Sequence, residues 1–484
     1  AQAQGATAPN RERVRAILRK TTRRDPEPKA AKALSAAAAY DSALSKLVRR
    51  ITNGVTPDEM TLARKLGFTG YLNYQLNWQK IDDGAVEAFV AATYPYSLQD
   101  SAQLYPLDAG TVQQQFVNAT LYRAAFSKRQ LRERMAEFFS DHFNIEYATV
   151  DYMKVQDERD VPRKHALGRF PDMVRASARS PAMLEYLDNT RNRRNNINEN
   201  YARELMELHT VGVDGGYTQT DVRELSRCLT GWTMASRGVA FSFDPNGHDW
   251  GQKVVMGQVI PAQPSNSGQL GLTDGNMMID YLVAHPNTAR YLSRKMLRWL
   301  LRYDPSDAQV QAVASVYSST QGDIPSMIRA ILTPENLLAA PPKYRRPYSF
   351  ILACLRGTNP QILRLQNVTG TWLRAVGQSL FAWGPPDGYP DTAEYWSGGA
   401  LPRWNFAQYL ATNTADVPVD INRFLGTNTP AGLVDALNTS LFAGEMPDAL
   451  RAQLLSYAQG GTFNATRARE TLALAMSSAT FQWI

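Results

Sequence analysis

The sequence predicts a mainly α fold, a multi-helical assembly with a small β-hairpin insert. Three observations carry this expectation. Helix start signals recur along the whole chain, apolar residues fall at helical spacing over most of it, and only one region alternates as a strand does. With 484 residues, 44% hydrophobic and 20% charged, the chain is long enough for a large core and has an ordinary globular composition.

The start signals are specific. Thr56-Pro57-Asp58-Glu59 reads as a capping box with proline at the first helical position, Ser180-Pro181 repeats the proline start, and Thr218 with Asp221 opens "TDVRELSRCLTGW". Apolar spacing predicts further helices over 29–50, 108–142, 286–303, 347–357, 430–443 and 463–480. "GVAFSFDP" and "QKVVMGQVI", separated by the polar "NGHDWG", predict one long-looped hairpin near 238–260. Proline and glycine mark loops at 261–276 and 383–399, and long loops in compact proteins are more often functional than accidental. The chain thus divides into a basic N-terminal arm (1–28), a helical body (29–420) and a C-terminal helical extension packed on it (421–484).

The formal charge of +7 is concentrated at one end. Residues 1–52 hold 12 Lys/Arg against 4 Asp/Glu, which leaves 40 against 41 in the remainder. The body is therefore neutral overall and lacks a general nucleic-acid footprint. No apolar run approaches the ~20 residues of a membrane helix. The opening "AQAQGATAPN" has neither Met nor an apolar stretch, which fits a mature exported product cut after a small-residue site, and a periplasmic or extracellular location is expected. Cys228 and Cys354 each sit in an apolar helical pattern and are expected to be buried free thiols, although a disulfide is permitted outside the cytosol.

Residues 196–218, "NINENYARELMELHTVGVDGGYT", concentrate the titratable chemistry. Asn196 with Glu199 resembles a capping box, so a helix is expected from about residue 197. With Glu199 at 0°, Arg203 falls at about 40°, Glu207 at about 80°, Asn200 at about 100° and Glu204 at about 140°, while His209 lands at about 280°, within the apolar arc. The plainest account of the polar face is a solvated stripe braced at i,i+4 by Glu199, Arg203 and Glu207. Against it stands the crowding of Glu204 and Glu207, which raises one carboxyl if burial adds to the repulsion. His209 reads as a satisfied core histidine or as a ligand or proton carrier at a cleft.

The stretch "INENYARELMELHTVGVDGGYTQTDVRELSRCLTGW", with "RSPAMLEYLDN" upstream and "PPDGYP" downstream, resembles the bacterial family called domain of unknown function 1800, over roughly residues 45 to 415. The resemblance implies an exported bacterial protein, often encoded beside a sulfatase-like partner, and brings no established reaction. Where the family pattern reads Trp-His-x-His-Phe, this chain has Phe139-Ser140-Asp141-His142-Phe143 and keeps only the second histidine.

Two constellations emerge. His142, His209 and His248, each close in sequence to a carboxylate, could hold a divalent transition metal if the fold gathers them, although their spacing is unlike HExxH. Carboxylates alone form the second: Glu204 and Glu207 as acid and base, Arg203 orienting them, and Glu199 in support. Asn198, Asn200, Asp188, Trp232, Asp387, Tyr389 and Trp396 are the expected substrate-binding residues, the aromatics as stacking surfaces for a sugar or as core and loop anchors. GxSxG, P-loop and GxGxxG patterns are absent. The leading expectation is an exported hydrolase acting on a glycan or related polymer. The alternatives are a metal-dependent oxidase or hydrolase and a non-enzymatic periplasmic or surface scaffold.

Overall fold

The structure, a computed structural model, describes residues 42–484 except Asn266. The basic arm and the first part of the helix expected over 29–50 lie outside the described residues. Most of the described residues are helical, and the only sheets among them are two antiparallel pairs of strands. No helix among the described residues is long and apolar enough to cross a membrane.

Most of the expected helices form close to their expected bounds, as Pro286–Leu300, Pro347–Thr358, Pro430–Phe442 and Ala465–Ser477. The run expected over 108–142 is two helices, Ala109–Phe126 and Gln130–His142. The break is held by Asp83, whose carboxylate accepts from the Ser127 hydroxyl at 2.7 Å and the Lys128 amide at 2.9 Å. Thr56 caps its helix as expected, but the Glu59 side chain does not complete the box: it accepts from the Tyr71 hydroxyl at 2.6 Å and pairs with Arg356.

The β region departs from expectation. "FSF" and "KVV" do not pair with each other. β1 (Trp232–Met234) pairs with β2 (Phe241–Phe243), and β3 (Lys253–Val255) pairs with β4 (Gln258–Ile260). Met256 and Gly257 both have positive φ, as a two-residue hairpin turn requires, so the second hairpin closes inside "VVMGQV". "NGHDWG" is not a hairpin tip, because His248 within it is fully buried.

Two large apolar cores result. One joins Ala43–Ile51, Pro57–Leu76, Gln130–His142 and the helices between residues 170 and 339. The other joins Ala109–Phe126 to Pro347–Thr358, Ala400–Thr412 and the C-terminal helices. The C-terminal helices thus share one core with elements before residue 421, and Tyr344 bridges to Trp483. Both cysteines are buried and free.

Pro347–Thr358 belongs to the second core and reaches toward the first. From its far end Arg356 donates to the carbonyls of Gly54 and Ala125, each at 2.7 Å, and from its start Arg346 pairs with Asp141 at 2.7 Å. The loop after Phe381 closes over the same seam, where Gly388 has φ +76° and its backbone lies directly against the Asp141 carbonyl. A Cβ there would overlap that carbonyl. Gly388→Ala is expected to destabilise the protein by about 2–4 kcal/mol, from positive-φ strain plus overlap. Gly377→Ala, at φ +86° with open space around it, should cost only about 1 kcal/mol. Urea midpoints of the two variants measure the difference.

Candidate active site

The signature segment is built differently from a regular helix. Asn196 is engaged in a tight bridge with Arg193, and the α-helix spans only Asn200–Glu204 before widening into a π-helical turn at Leu205–His209. The expected start near 197 fails because Asn198 forms the turn instead: its side-chain oxygen accepts from the Asn200 amide at 2.9 Å, and its own amide donates to Asn192 at 3.0 Å. Thr210 donates its hydroxyl to the Leu205 carbonyl at 2.6 Å, and the Gly212 amide reaches Met206 at 3.0 Å, which closes the widened turn. Arg203 bridges Glu199 at 3.2 Å and Glu207 at 3.5 Å as expected, and Glu199 also accepts from Gln219 at 2.5 Å. Glu204 and Glu207 are half-buried, and His209 is buried.

Beside this segment, Pro286–Leu300 carries Tyr291, Lys295 and Arg298. Gly212, at φ +86°, lets the chain leaving the π turn lie on the Tyr291 ring, where an added Cβ would sit 2.8 Å from a ring carbon. The loop from 381 to 391 is fixed by hydrogen bonds from two sides. Asn144 donates to the Trp383 and Pro385 carbonyls at 2.8 and 2.7 Å, and the Tyr186 hydroxyl donates to Gly384 at 2.6 Å. The loop so fixed holds Asp387, whose carboxylate accepts from the Trp383 indole at 2.9 Å.

Electrostatic influence links these three elements. Burial raises the Asp387 carboxyl above its ordinary range; Asp141 adds to the rise, while Trp383 and Lys295 oppose it. Burial brings the Lys295 ammonium down to about 8, against the pull of Asp141 and Asp387. The Tyr291 phenol is raised by burial first, then by the charges of Asp387 and Glu204, and Tyr186 also feels both of these carboxylates. Glu204 of the signature helix and Asp387 of the loop therefore act on the same side chains.

Behind them lies a histidine pair. Lys295 donates to Nδ1 of His142 at 3.0 Å, so the ring carries its proton on Nε2 and donates it to the His209 carbonyl at 3.1 Å. Burial and the Lys295 charge hold His142 well below its ordinary range, and the ring is neutral. The His209 ring lies 6.2 Å from that of His142, with neither of its nitrogens hydrogen-bonded, and burial lowers it to about 3.

The remaining expected residues are dispersed. His248 does not join His142 and His209. It is fully buried among Thr230, Lys253 and Asp274, with Nδ1 2.8 Å from the Thr230 carbonyl and Nε2 3.3 Å from Asp274. No group of three or more His, Cys, Asp or Glu side chains among the described residues is arranged to hold a metal ion, so the three-histidine centre is not assembled. Trp232 is fully buried on β1 and has no face for a sugar. Trp396 is buried and donates to the Pro390 carbonyl at 2.7 Å, and Tyr389 donates to Ser379 at 2.7 Å, so both anchor the loop. Asp188 pairs with Arg191 at 3.3 Å at the surface, and Asn200 begins the helix.

Sequence reasoning missed Tyr186, Tyr291, Lys295, Asn144 and Arg346. Lys295 stands among Arg290, Arg294 and Arg298, a pattern that reads as a solvated basic stripe. The available signal was the i,i+4 spacing of Tyr291 and Lys295, which puts an aromatic and an amine on one face.

The model of the family described as protein of unknown function (DUF1800) matches residues 46–483. No curated protein and no solved structure matches the chain.

The histidine pair makes a pH prediction. A histidine held near 3 when folded and near 6.5 when unfolded contributes stability that is present above about 6.5 and is lost as pH falls toward 3. His209→Gln should remove about 2 kcal/mol of the stability lost between pH 7 and 5, and so flatten that limb in urea titrations. Parallel profiles for the two proteins would contradict it.

Proposed function

The chain belongs to this family, and on that premise we propose that it is a hydrolase of a glycan or related hydroxyl-rich polymer, acting through a carboxylate acid and base. What supports the reading is a buried carboxyl, Asp387, held in a loop that Asn144 and Tyr186 fix by hydrogen bonds and raised above its ordinary range by burial, with Glu204 on the signature helix among the charges that add to the effect of burial on Tyr186 and Tyr291. Hydrolysis of a glycosidic bond needs one carboxyl that keeps its proton near neutral pH and another group that accepts one. In this reading Asp387 protonates the departing oxygen and Glu204 activates water or attacks the sugar carbon. Arg203, held between Glu199 and Glu207, supplies a fixed positive charge on the helix that carries Glu204. Trp383 and the exposed Tyr395, edge to face with ring centroids 6.2 Å apart, supply a stacking surface at the rim.

The proposal pairs Glu204 with Asp387 in place of Glu207, because burial raises the Asp387 carboxyl, while Arg203 pairs with Glu207. The metal-dependent alternative has less support: both nitrogens of His142 are engaged, and His248 bonds elsewhere. The exported setting and a sulfatase-like partner belong to the same proposal and rest on the opening sequence and the resemblance.

Asp387→Asn and Glu204→Gln should each lower kcat on a responsive polysaccharide by roughly 10²–10⁴-fold while shifting the melting temperature little. Reducing-end release from a panel of neutral, amino and acidic polysaccharides is the measurement. If the wild-type protein cleaves none of them, or if both variants lose activity only in proportion to the folded protein they lose, the hydrolase reading fails and the scaffold alternative takes its place.

A further inference from the structure

On the other side of the Gln130–His142 helix lies a half-enclosed pocket of about 260 Å3 that the proposed reaction does not use. Arg123, Arg129, Arg132, Arg159 and Arg163 line it, with Trp78 among the lining residues. Three of these guanidiniums are neutralised. Arg123 is bidentate to Glu87, Arg163 is bidentate to Glu133 at 2.8 and 2.7 Å, and Arg159 pairs with Asp100 and Asp160.

The other two are not. Arg129 donates only to the Ile81 carbonyl, at 2.9 and 3.1 Å, and Arg132 donates to the Arg163 carbonyl at 3.1 Å while its buried Nε has no partner. Both lie over the Trp78 ring, at 5.3 and 4.2 Å from its centroid. Burial lowers the Arg132 guanidinium to about 10, with Arg163 and Arg129 adding to the fall and Glu133 and Glu87 opposing it in part. Keeping two guanidiniums stacked on one indole without a carboxylate is costly unless an anion completes the set.

We propose that this pocket binds a tetrahedral oxyanion ester, a phosphate or sulfate monoester, through Arg129 and Arg132. Guanidinium forks match two oxygens of such a group, and the apolar parts of Leu98, Phe116 and Val155 in the same lining suit the organic portion it is attached to. Glu158 and Arg163 also line the small inner cavity that reaches Asp141 and Asn144, so the pocket and the candidate active site are separated by one shared wall.

The probes are phenyl phosphate and phenyl sulfate, titrated calorimetrically into the full chain at low ionic strength, with phenol as the uncharged control. Saturable binding of either ester but not of phenol is expected, and whichever ester binds more tightly identifies the oxyanion. Arg132→Gln should weaken that binding roughly tenfold or more, the loss of about one charge-assisted pair. Arg223→Gln, at an exposed position away from the pocket, should leave it unchanged. Should Arg132→Gln fail to fold, Arg129→Gln provides the same comparison. Absence of saturable binding, or equal affinity in the wild-type protein and the folded pocket variants, overturns the proposal. The titration does not depend on turnover, so its outcome is separate from that of the hydrolase reading.

Discussion

Arg346 sits where the two apolar cores meet, and its ion pairs with Asp141 at 2.7 Å and Glu137 at 3.6 Å form the junction on which the candidate site depends. Taking such ions out of water costs several kcal/mol each, and their attraction offsets that only in a fixed geometry. Burial raises both carboxyls despite the guanidinium beside them. The junction is therefore a source of order more than of net stability. Asp141 fixes the end of the Gln130–His142 helix, its carbonyl receives Gly388, and the next residue, His142, meets Lys295. Removing one partner alone would leave an uncompensated charge at the seam of the whole fold.

The helical class, most helix positions, the two free thiols and the family were legible in the sequence because each rests on local pattern: capping residues, apolar spacing and a long specific motif. What failed was non-local. The break at Ser127 depends on Asp83, forty-odd residues away, and the partition into two hairpins depends on a turn at Met256-Gly257 that competes with the more polar "NGHDWG". The candidate site divides the same way. Arg203, Glu199 and Glu207 form the expected i,i+4 brace, since that contact lies within one helix. Asp387 was singled out, but the raised state of its carboxyl comes from burial and Asp141, neither of which the loop sequence displays. His248 was grouped with the other histidines on composition alone, and its burial beside Asp274 and Lys253 is a tertiary outcome.

The π turn at Leu205–His209 explains why a regular helical wheel misleads here. Widened turns are marginal in isolation and recur at functional sites, where they redirect side chains that a regular helix would place elsewhere. In this chain the widening is held by Thr210 and Gly212 together, and it lets the His209 carbonyl accept from His142. The segment's chemistry is consequently carried as much by its backbone as by its acidic side chains.

The reach of Arg356 has a consequence for how the protein comes to exist. Its bond to the Gly54 carbonyl spans 302 residues of sequence, and its bond to Ala125 spans 231. Contacts so distant along the chain are the slowest to find, because the entropy of closing the intervening loops is lost before any contact returns it. During synthesis Ala109–Phe126 is made long before Pro347–Thr358, its neighbour in the second core, and its apolar face stays uncovered in the meantime. The second core therefore closes late, after Pro347–Thr358 and the helices beyond it have been made, whereas nearly all of the first core precedes them in the sequence.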